Sequence, residues 1–265
     1  MSEPLILVTN DDGVTSHGIA ALREAAKDLG RVVVIAPETE KSAVGHAITL
    51  SSPIRIQELS KEDGVTGFAV GGTPADCVKL AVRALLDRTP DLILSGINHG
   101  ANVGMSVMYS GTVSAATEGV ILGIPSIAIS LDSWTSDDFN FAGKIAKQFA
   151  VKVLENGLDE GVALNINVPS VPEDEVKGIM LTRQGQSYYE ETFDRRTDPR
   201  KRTYYWMDGF LVQPDKDQDV DSHRLAVINY KLQVLTTVIV VNLTNIFSSS
   251  CCTICKVDGT TSRIS

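Results

Sequence analysis

At 265 residues, 43% hydrophobic and 22% charged, the chain carries enough apolar side chains for one large α/β domain or for one domain with an appendage. A formal net charge of -9 and a pI near 5.0 argue against a nucleic-acid polymer or an anionic membrane surface as the main partner, though a metal ion could reverse the field locally for a small anionic substrate. Val234 to Leu243, the nearest approach to a membrane segment, is interrupted by Thr236, Thr237 and Asn242, and Met1-Ser2-Glu3-Pro4 supplies no basic leader, so a cytoplasmic protein without a membrane partner is expected.

In chain order, Leu5 to Thr9 reads as a strand. Ile19, Leu22, Ala26 and Leu29 then fall at helical spacing until Gly30, and Val32 to Ala36 forms a second strand ended by Pro37. Ala47 to Ser52 and Ile54 to Glu58 alternate like a hairpin or edge strands, and Phe68 to Val70 is a further strand. Thr73 caps a helix with Pro74 at its first position and Val78, Leu80, Ala81, Val82, Leu85 and Leu86 on its buried side. Asp91 to Ser95 is the next strand, followed by a Gly-rich loop from Gly96 to Gly111, a small-residue helix from Thr112 to Leu122, and a strand from Ser126 to Ser130. A helix around Phe139 to Leu154 and strands at Ala163 to Val168 and Ile179 to Leu181 complete a run of βαβ units. Residues 185 to 222 are polar, aromatic and charge-mixed, which predicts an irregular excursion or a protruding β-arm. From Leu232 the chain is β-branched and then Ser/Cys-rich, with no clear place in the core. The fold expected is α/β, a Rossmann-like three-layer arrangement with a mostly parallel sheet and a C-terminal β-arm and tail, divided as residues 1-184 (core) and 185-265 (arm, oligomerisation and tail segment).

Chemistry in such sheets gathers beyond the carboxyl ends of the strands. Asn10-Asp11-Asp12-Gly13 follows the first strand, Glu38-Thr39-Glu40-Lys41-Ser42 the second, and Gly96-Ile97-Asn98-His99-Gly100-Ala101-Asn102 the strand at Leu92 to Ser95. Adjacent aspartates repel, and desolvating them without a partner costs several kcal/mol. A divalent cation is the simplest counter-ion, and carboxylate, hydroxyl and amide oxygens suit Mg²⁺ or Mn²⁺ rather than zinc. Taken singly, Asp-Asp-Gly is a common turn, Ser42 could cap a helix and Asn98 could satisfy loop backbone; their convergence at one sheet edge points to a site. Ser110-Gly111-Thr112-Val113-Ser114 opens a helix with small residues, a moderate signal for a phosphate cradle that lacks a Walker lysine. His17, His46, His99 and His223 are unranked candidates for proton transfer, and Lys41 for neutralising substrate charge. Cys77 lies in a helical pattern, and Cys251, Cys252 and Cys255 crowd the tail without a second metal-binding pair; Asn242-Leu243-Thr244 matches a glycosylation acceptor only as a short motif.

Together, Leu5 to Gly13, Gly18-Ile19, Ala36-Pro37, Ser42 to Thr49, Gly71 to Val78 and Ser95 to Asn102 closely resemble the SurE family of stationary-phase survival proteins. Tyr109 to Ala116, Glu118-Gly119 and Gly123 to Ala128 extend the resemblance, with weaker agreement at Asn165 to Pro169 and Thr182 to Gly185. The resemblance implies a metal-dependent phosphohydrolase acting on nucleoside 5′- and 3′-monophosphates and on short polyphosphate. Its metal ligands fall on Asp11, Asp12, Ser42 and Asn98, with Asp11, Asp12 and Asn98 as catalytic residues. Asn102, Ser110, Gly111 and Thr112 are then the phosphate-binding candidates. It further implies a homo-oligomer, dimer or tetramer, that exchanges a C-terminal segment, and it places Asp221-Ser222-His223 in a region brought near the site. The chain departs from the family at that end, where Asn229-Tyr230-Lys231-Leu232-Gln233-Val234 replaces the usual Gly-Tyr-Val-Ser strand. Whether activated water or Asp11 itself attacks phosphorus stays open, as do the preferred nucleotide and the physiological metal. The rival reading is a non-catalytic nucleotide or metal-binding module; a dehydrogenase-like dinucleotide domain is disfavoured because acids occupy the first βα turn where glycines would be needed.

Overall fold

Strands buried on both faces need helices above and below them. The computed structural model, which describes residues 3–59, 66–217, 219–222 and 234–242, has this three-layer arrangement. Its strands are β1 (Leu5–Thr9), β2 (Arg31–Pro37), β3 (Ile56–Glu58), β4 (Gly67–Val70), β5 (Leu92–His99), β6 (Ser126–Asp132), β7 (Val162–Pro169), β8 (Val176–Thr182), β9 (Tyr188–Thr197), β10 (Thr203–Val212) and β11 (Val234–Asn242). Its helices are α1 (His17–Ala26), α2 (Pro74–Leu80), α3 (Ser106–Tyr109), α4 (Gly111–Ile121) and α5 (Asn140–Asn156). The main sheet runs β3-β4-β2-β1-β5-β6-β7-β11-β8, with β4, β2, β1, β5, β6 and β7 mutually parallel.

Each face of β1 feeds a separate core because strand side chains alternate. Ile6 and Val8 pack with Ile19 and Leu22 of α1 and Ile145 and Phe149 of α5. Leu5 and Leu7 pack with Cys77 and Val78 of α2 and Ala115 of α4. After β1 the chain moves outward through β2 and β4, then returns to β5 on the other side of β1, so the sheet reverses its winding between β1 and β5. That crevice is where ligands bind in open α/β sheets. Gly18 makes the close approach of α1 to β5: a Cβ there would lie 1.9 Å from the Ile97 carbonyl oxygen.

Several predicted elements take a different form. Ala47 to Ser52 contains no strand; only β3 forms there, antiparallel to β4. β5 continues through His99, with a register irregularity between Ser95 and Asn98, so Asn98 belongs to the strand end rather than to the loop. The Gly-rich stretch contains the single-turn α3. α2, opened by a Thr73–Asp76 capping box, continues as a π-helical turn over Ala81–Leu85. β11, for which the pattern offered no place, sits between β7 and β8, antiparallel to the first and parallel to the second. The excursion after residue 185 is an antiparallel hairpin of β9 and β10. No described helix is long and apolar enough to cross a membrane. His223, Leu243 and Thr244 of the glycosylation motif, and Cys251, Cys252 and Cys255 lie outside the described residues.

Candidate functional site

Beyond β1, the turn through Asp11 and Asp12 is closed by the buried Asn10, whose Nδ2 donates to the Gly13 carbonyl (2.9 Å) and to Ser16 Oγ (2.8 Å). Gly13 has φ +99°, and a Cβ on it would stand 3.3 Å from the Glu40 nitrogen, so the turn and the loop after β2 close on one another only through glycine. Lys41 N–H donates to the Asp11 carbonyl (2.7 Å) and Val14 N–H to the Pro37 carbonyl (2.9 Å), which brings the Glu38–Ser42 loop to the same edge.

The Asp11 side chain is 6% exposed and faces the start of α4. Thr112 donates to it through its hydroxyl and its backbone N–H, and a Cβ on Gly111 would lie 2.7 Å from the Asp11 Cβ and 2.9 Å from its Oδ2. Burial pushes the Asp11 carboxyl up to about 6, against the pull of the Thr112 hydroxyl, with Asp12 adding a like-charge push. Burial also raises the Asp12 carboxyl; the His99 backbone N–H and imidazole oppose it, and Glu40 reinforces it. Asp12 Oδ2 is buried without a hydrogen-bond partner. Asn98 Nδ2 donates to the Gly100 carbonyl (2.7 Å), so Oδ1 is the atom of this side chain that could ligate a cation.

Asp11, Asp12 and Asn98 thus meet at the ends of the paired strands β1 and β5, where Thr9 sits opposite Ser95. Ser42 stands one residue beyond Lys41, with its exposed hydroxyl donating to Glu40. Among the described residues no three His, Cys, Asp or Glu side chains cluster to hold a metal. The donors that meet here are instead two carboxylates and an amide oxygen, with the Ser42 hydroxyl turned to Glu40, and the orphaned Asp12 oxygen fits a hard cation.

Ser110 caps α4, its Oγ accepting from Val113 N–H (3.1 Å). The dipole of α4 therefore places its positive end beside the Asp11 carboxylate. Asn102 is tied elsewhere: its N–H donates to Asn167 Oδ1 (2.7 Å), its Nδ2 to Ser130 Oγ (2.8 Å), and its carbonyl accepts from Asn165 and Asn167. This anchors the loop after β5 to β6 and β7 and commits one of the two Asn102 amide hydrogens. His99 donates from Nε2 to the Ser136 carbonyl (3.1 Å) beside the site. His17 is exposed and pairs with Asp137 (3.1 Å). His46 pairs with Glu118 Oε2 (2.8 Å).

Two supporting carboxylates have roles that the sequence reading did not assign. Glu118, buried on α4, also accepts from Lys79 Nζ (2.6 Å). Burial raises its carboxyl, but donors from His46 and Lys79 prevail and hold it below the usual range. Asp221 accepts from the N–H groups of Gly104 (2.9 Å), Gly185 (2.8 Å) and Ser222 (2.6 Å), fastening the segment before residue 223 to the loop that leads into α4. Asp221-Ser222-His223 carried a signal for that contact, and the Glu118-Gly119 block one for the buried acid; spacing alone carried neither.

Comparisons with known proteins converge on one family. The family model described as survival protein SurE matches residues 6–191. Relatives named 5'-nucleotidase SurE include one from Moorella thermoacetica, 50% identical over 218 residues (82% of this chain and 84% of the relative). Another, from Syntrophus aciditrophicus, is 51% identical over 217 residues (82% and 81%). The crystal structure of the SurE protein from Aquifex aeolicus superposes with a TM-score of 0.77 at 40% identity, covering 92% of this chain and 96% of that one.

Proposed function

The chain belongs to the SurE family, and on that premise we propose that it is a 5′-nucleotidase, a phosphoric monoester hydrolase that releases phosphate from nucleoside 5′-monophosphates in a reaction dependent on one divalent metal ion. The observation that carries this reading is the Asp11–Asp12–Asn98 edge: a buried acid raised to about 6, its neighbour with an orphaned carboxylate oxygen, and the start of α4 closed against Asp11. The same site would take 3′-monophosphates and short polyphosphate, since the residues proposed to bind substrate are ones that would recognise phosphate.

Asp11, Asp12, Ser42 and Asn98 would hold Mg²⁺ or Mn²⁺, which when bound supplies Lewis-acid polarisation of a phosphoryl oxygen and a lowered pKa for water. The protein's own contributions are positional. Thr112 fixes the Asp11 carboxylate through two donors, and the α4 dipole favours the negative charge that accumulates on the phosphoryl oxygens. Asn10 and Gly13 hold the turn, and the Asn102–Asn165–Asn167 network holds the opposite wall. Ser110, Gly111 and Thr112 form the phosphate-facing helix start, and Asn102 offers its second amide hydrogen.

A panel of 5′-AMP, 3′-AMP and tripolyphosphate, each with Mg²⁺, Mn²⁺ or EDTA, tests the proposal. Metal-dependent phosphate release that disappears in EDTA and in Asp11→Asn is expected. Release that persists in both refutes the metal role, and calorimetric AMP binding without release under any divalent ion supports the rival binding module.

A homo-oligomer is proposed on separate grounds. Among the described residues the hairpin of β9 and β10 pairs only with itself, and it exposes Tyr189, Phe193, Tyr205, Trp206, Met207 and Phe210, each more than half accessible. The register places Tyr189, Phe193, Tyr205 and Met207 on one face and Trp206 and Phe210 on the other; a two-stranded hairpin is marginal alone in water, and large apolar side chains exposed on both faces mark a protein interface. The symmetry of homo-oligomers makes a second copy of this chain the partner of choice.

A further inference from the structure

Trp134 lies in the turn after β6, at the edge of the sheet that carries the site, and is 81% exposed. The turn is nonetheless fixed. Ser133 Oγ accepts from the N–H groups of Thr135 (3.2 Å) and Ser136 (3.0 Å), the Ser136 carbonyl accepts from His99 Nε2 (3.1 Å), and Gly100 N–H is shared between the Leu131 and Ser133 carbonyls at 2.9 Å each.

The indole rests on Gly100, where a Cβ would fall 2.6 Å from Cζ2 and 2.7 Å from Cη2; φ is +88° there, so backbone conformation and ring contact both require glycine. The Gly100 carbonyl in turn accepts the Asn98 side chain (2.7 Å), and the N–H of the intervening His99 goes to Asp12. The ring is therefore braced two residues from one proposed metal ligand and beside the residue that binds another. A scattered surface tryptophan needs no explanation. One seated on a glycine, in a turn pinned on three sides, at the lip of a phosphate site, combines a π-face with the rigidity that stacking uses.

Accepting the nucleotidase reading, the geometry points to Trp134 as the stacking platform for the nucleobase of the substrate, the element that separates nucleotides from other phosphate monoesters. Stacking a base on an aromatic side chain is worth about one to two orders of magnitude in affinity and tolerates any base. Trp134 accordingly selects for a base without selecting which.

The chain contains two tryptophans, so Trp206→Phe leaves Trp134 as its sole indole reporter. In that background adenosine is expected to quench the fluorescence saturably, and ribose to leave it unaltered. In steady-state assays, the ratio of kcat/KM for 5′-AMP to that for ribose 5-phosphate is expected to fall about tenfold in Trp134→Ala, through KM, and to recover largely in Trp134→Phe. An unchanged ratio together with absent adenosine quenching overturns the assignment while leaving the phosphatase intact. Absent phosphate release from both substrates in the wild type overturns the nucleotidase reading itself. A Trp134→Ala protein whose mass by light scattering drops to that of a smaller assembly shows the indole to be a subunit anchor and likewise overturns the platform.

Discussion

Replacing Asp11 by Asn should make the metal-free protein more stable while abolishing its activity. Asp11 is 6% exposed, and its carboxyl is raised from 3.8 to about 6, chiefly by burial. The unfolded chain releases this proton near pH 3.8 and the folded chain near 6, so between those values the native state binds more protons. Stability then falls as pH rises through that window. At 1.36 kcal/mol per pH unit the deficit is fully developed above pH 6 at about 3 kcal/mol. Asn keeps an oxygen to accept from Thr112 but carries no charge to desolvate, so the variant should gain up to about 3 kcal/mol at pH 7, or about 6 to 12 °C in Tm for a chain of this size. The gain should shrink steadily as pH falls toward 4, where the wild-type group is protonated in the folded state and partly protonated in the unfolded one. Differential scanning calorimetry of both proteins in EDTA from pH 4 to 8 measures it. Mn²⁺ should raise the wild-type Tm at pH 7 and leave Asp11→Asn nearly unmoved. A variant less stable at pH 7, or a difference independent of pH, refutes the account of Asp11 as a charge whose burial costs stability until an ion compensates it.

Gly111→Ala would push its Cβ to 2.7 Å from that of Asp11, displacing the helix start; kcat/KM should fall about 100-fold with the circular dichroism unchanged, and a loss within threefold would contradict the importance of that packing. Glu118→Ala strands Lys79 and His46, but both can rehydrate, so a cost of about 1–2 kcal/mol in urea unfolding is expected. Because Glu118 is held below its ordinary 4.5, that cost should be present above pH 4.5 and fade as pH falls, and a cost growing toward acid would be inconsistent. Asp221→Ala leaves three N–H groups without their acceptor and should cost about 3 kcal/mol or more, whereas a loss below about 1 kcal/mol would show that water replaces the carboxylate. Phe193→Ser combined with Trp206→Ser should reduce the assembly to a smaller species by light scattering, and an unaltered mass would remove the hairpin from the interface.

The parallel core was legible because its strands are short β-branched runs separated by helices with readable ends, Gly30 closing the first helical pattern and Thr73-Pro74 opening α2. The failures share a cause. Ala47 to Ser52 alternates like a strand, yet Thr49 is held by Asp76 through N–H (3.0 Å) and hydroxyl (2.6 Å), and Ala47 accepts from Thr73, so side-chain bonds to the α2 cap take the place of a ladder. β11 reads as isolated because the strands it joins, β7 and β8, lie more than fifty residues earlier; pairing over such separations leaves no local trace. At the site, the acids and Asn98 could be placed by strand-end logic. That Thr112 would serve Asp11 could not, because the contact spans 101 residues and depends on how closely α4 packs at Gly111.

The distribution of unmet hydrogen-bonding groups ties these pieces together. Buried polar atoms in proteins are nearly always paired, so exceptions mark strain or function. Among the described residues, the buried side-chain atoms without partners include Thr9 Oγ1, Asn10 Oδ1, Asp12 Oδ2 and Ser95 Oγ, all at or beside the carboxyl end of β1, where Thr9 pairs with Ser95 of β5. The others are Asn165 Oδ1, Ser187 Oγ and Ser222 Oγ, and they flank the loop after β5: Asn165 donates to the Asn102 carbonyl, and Ser187 lies against Gly104. A fold selected only for stability would scatter such atoms or fill the region with apolar side chains. The first four gather where the sheet reverses its winding, beside a carboxyl raised to about 6, which is where the proposed reaction would need uncommitted polar atoms for a charged ligand. Both cores beneath, apolar and close-packed on each face of β1, offset that cost.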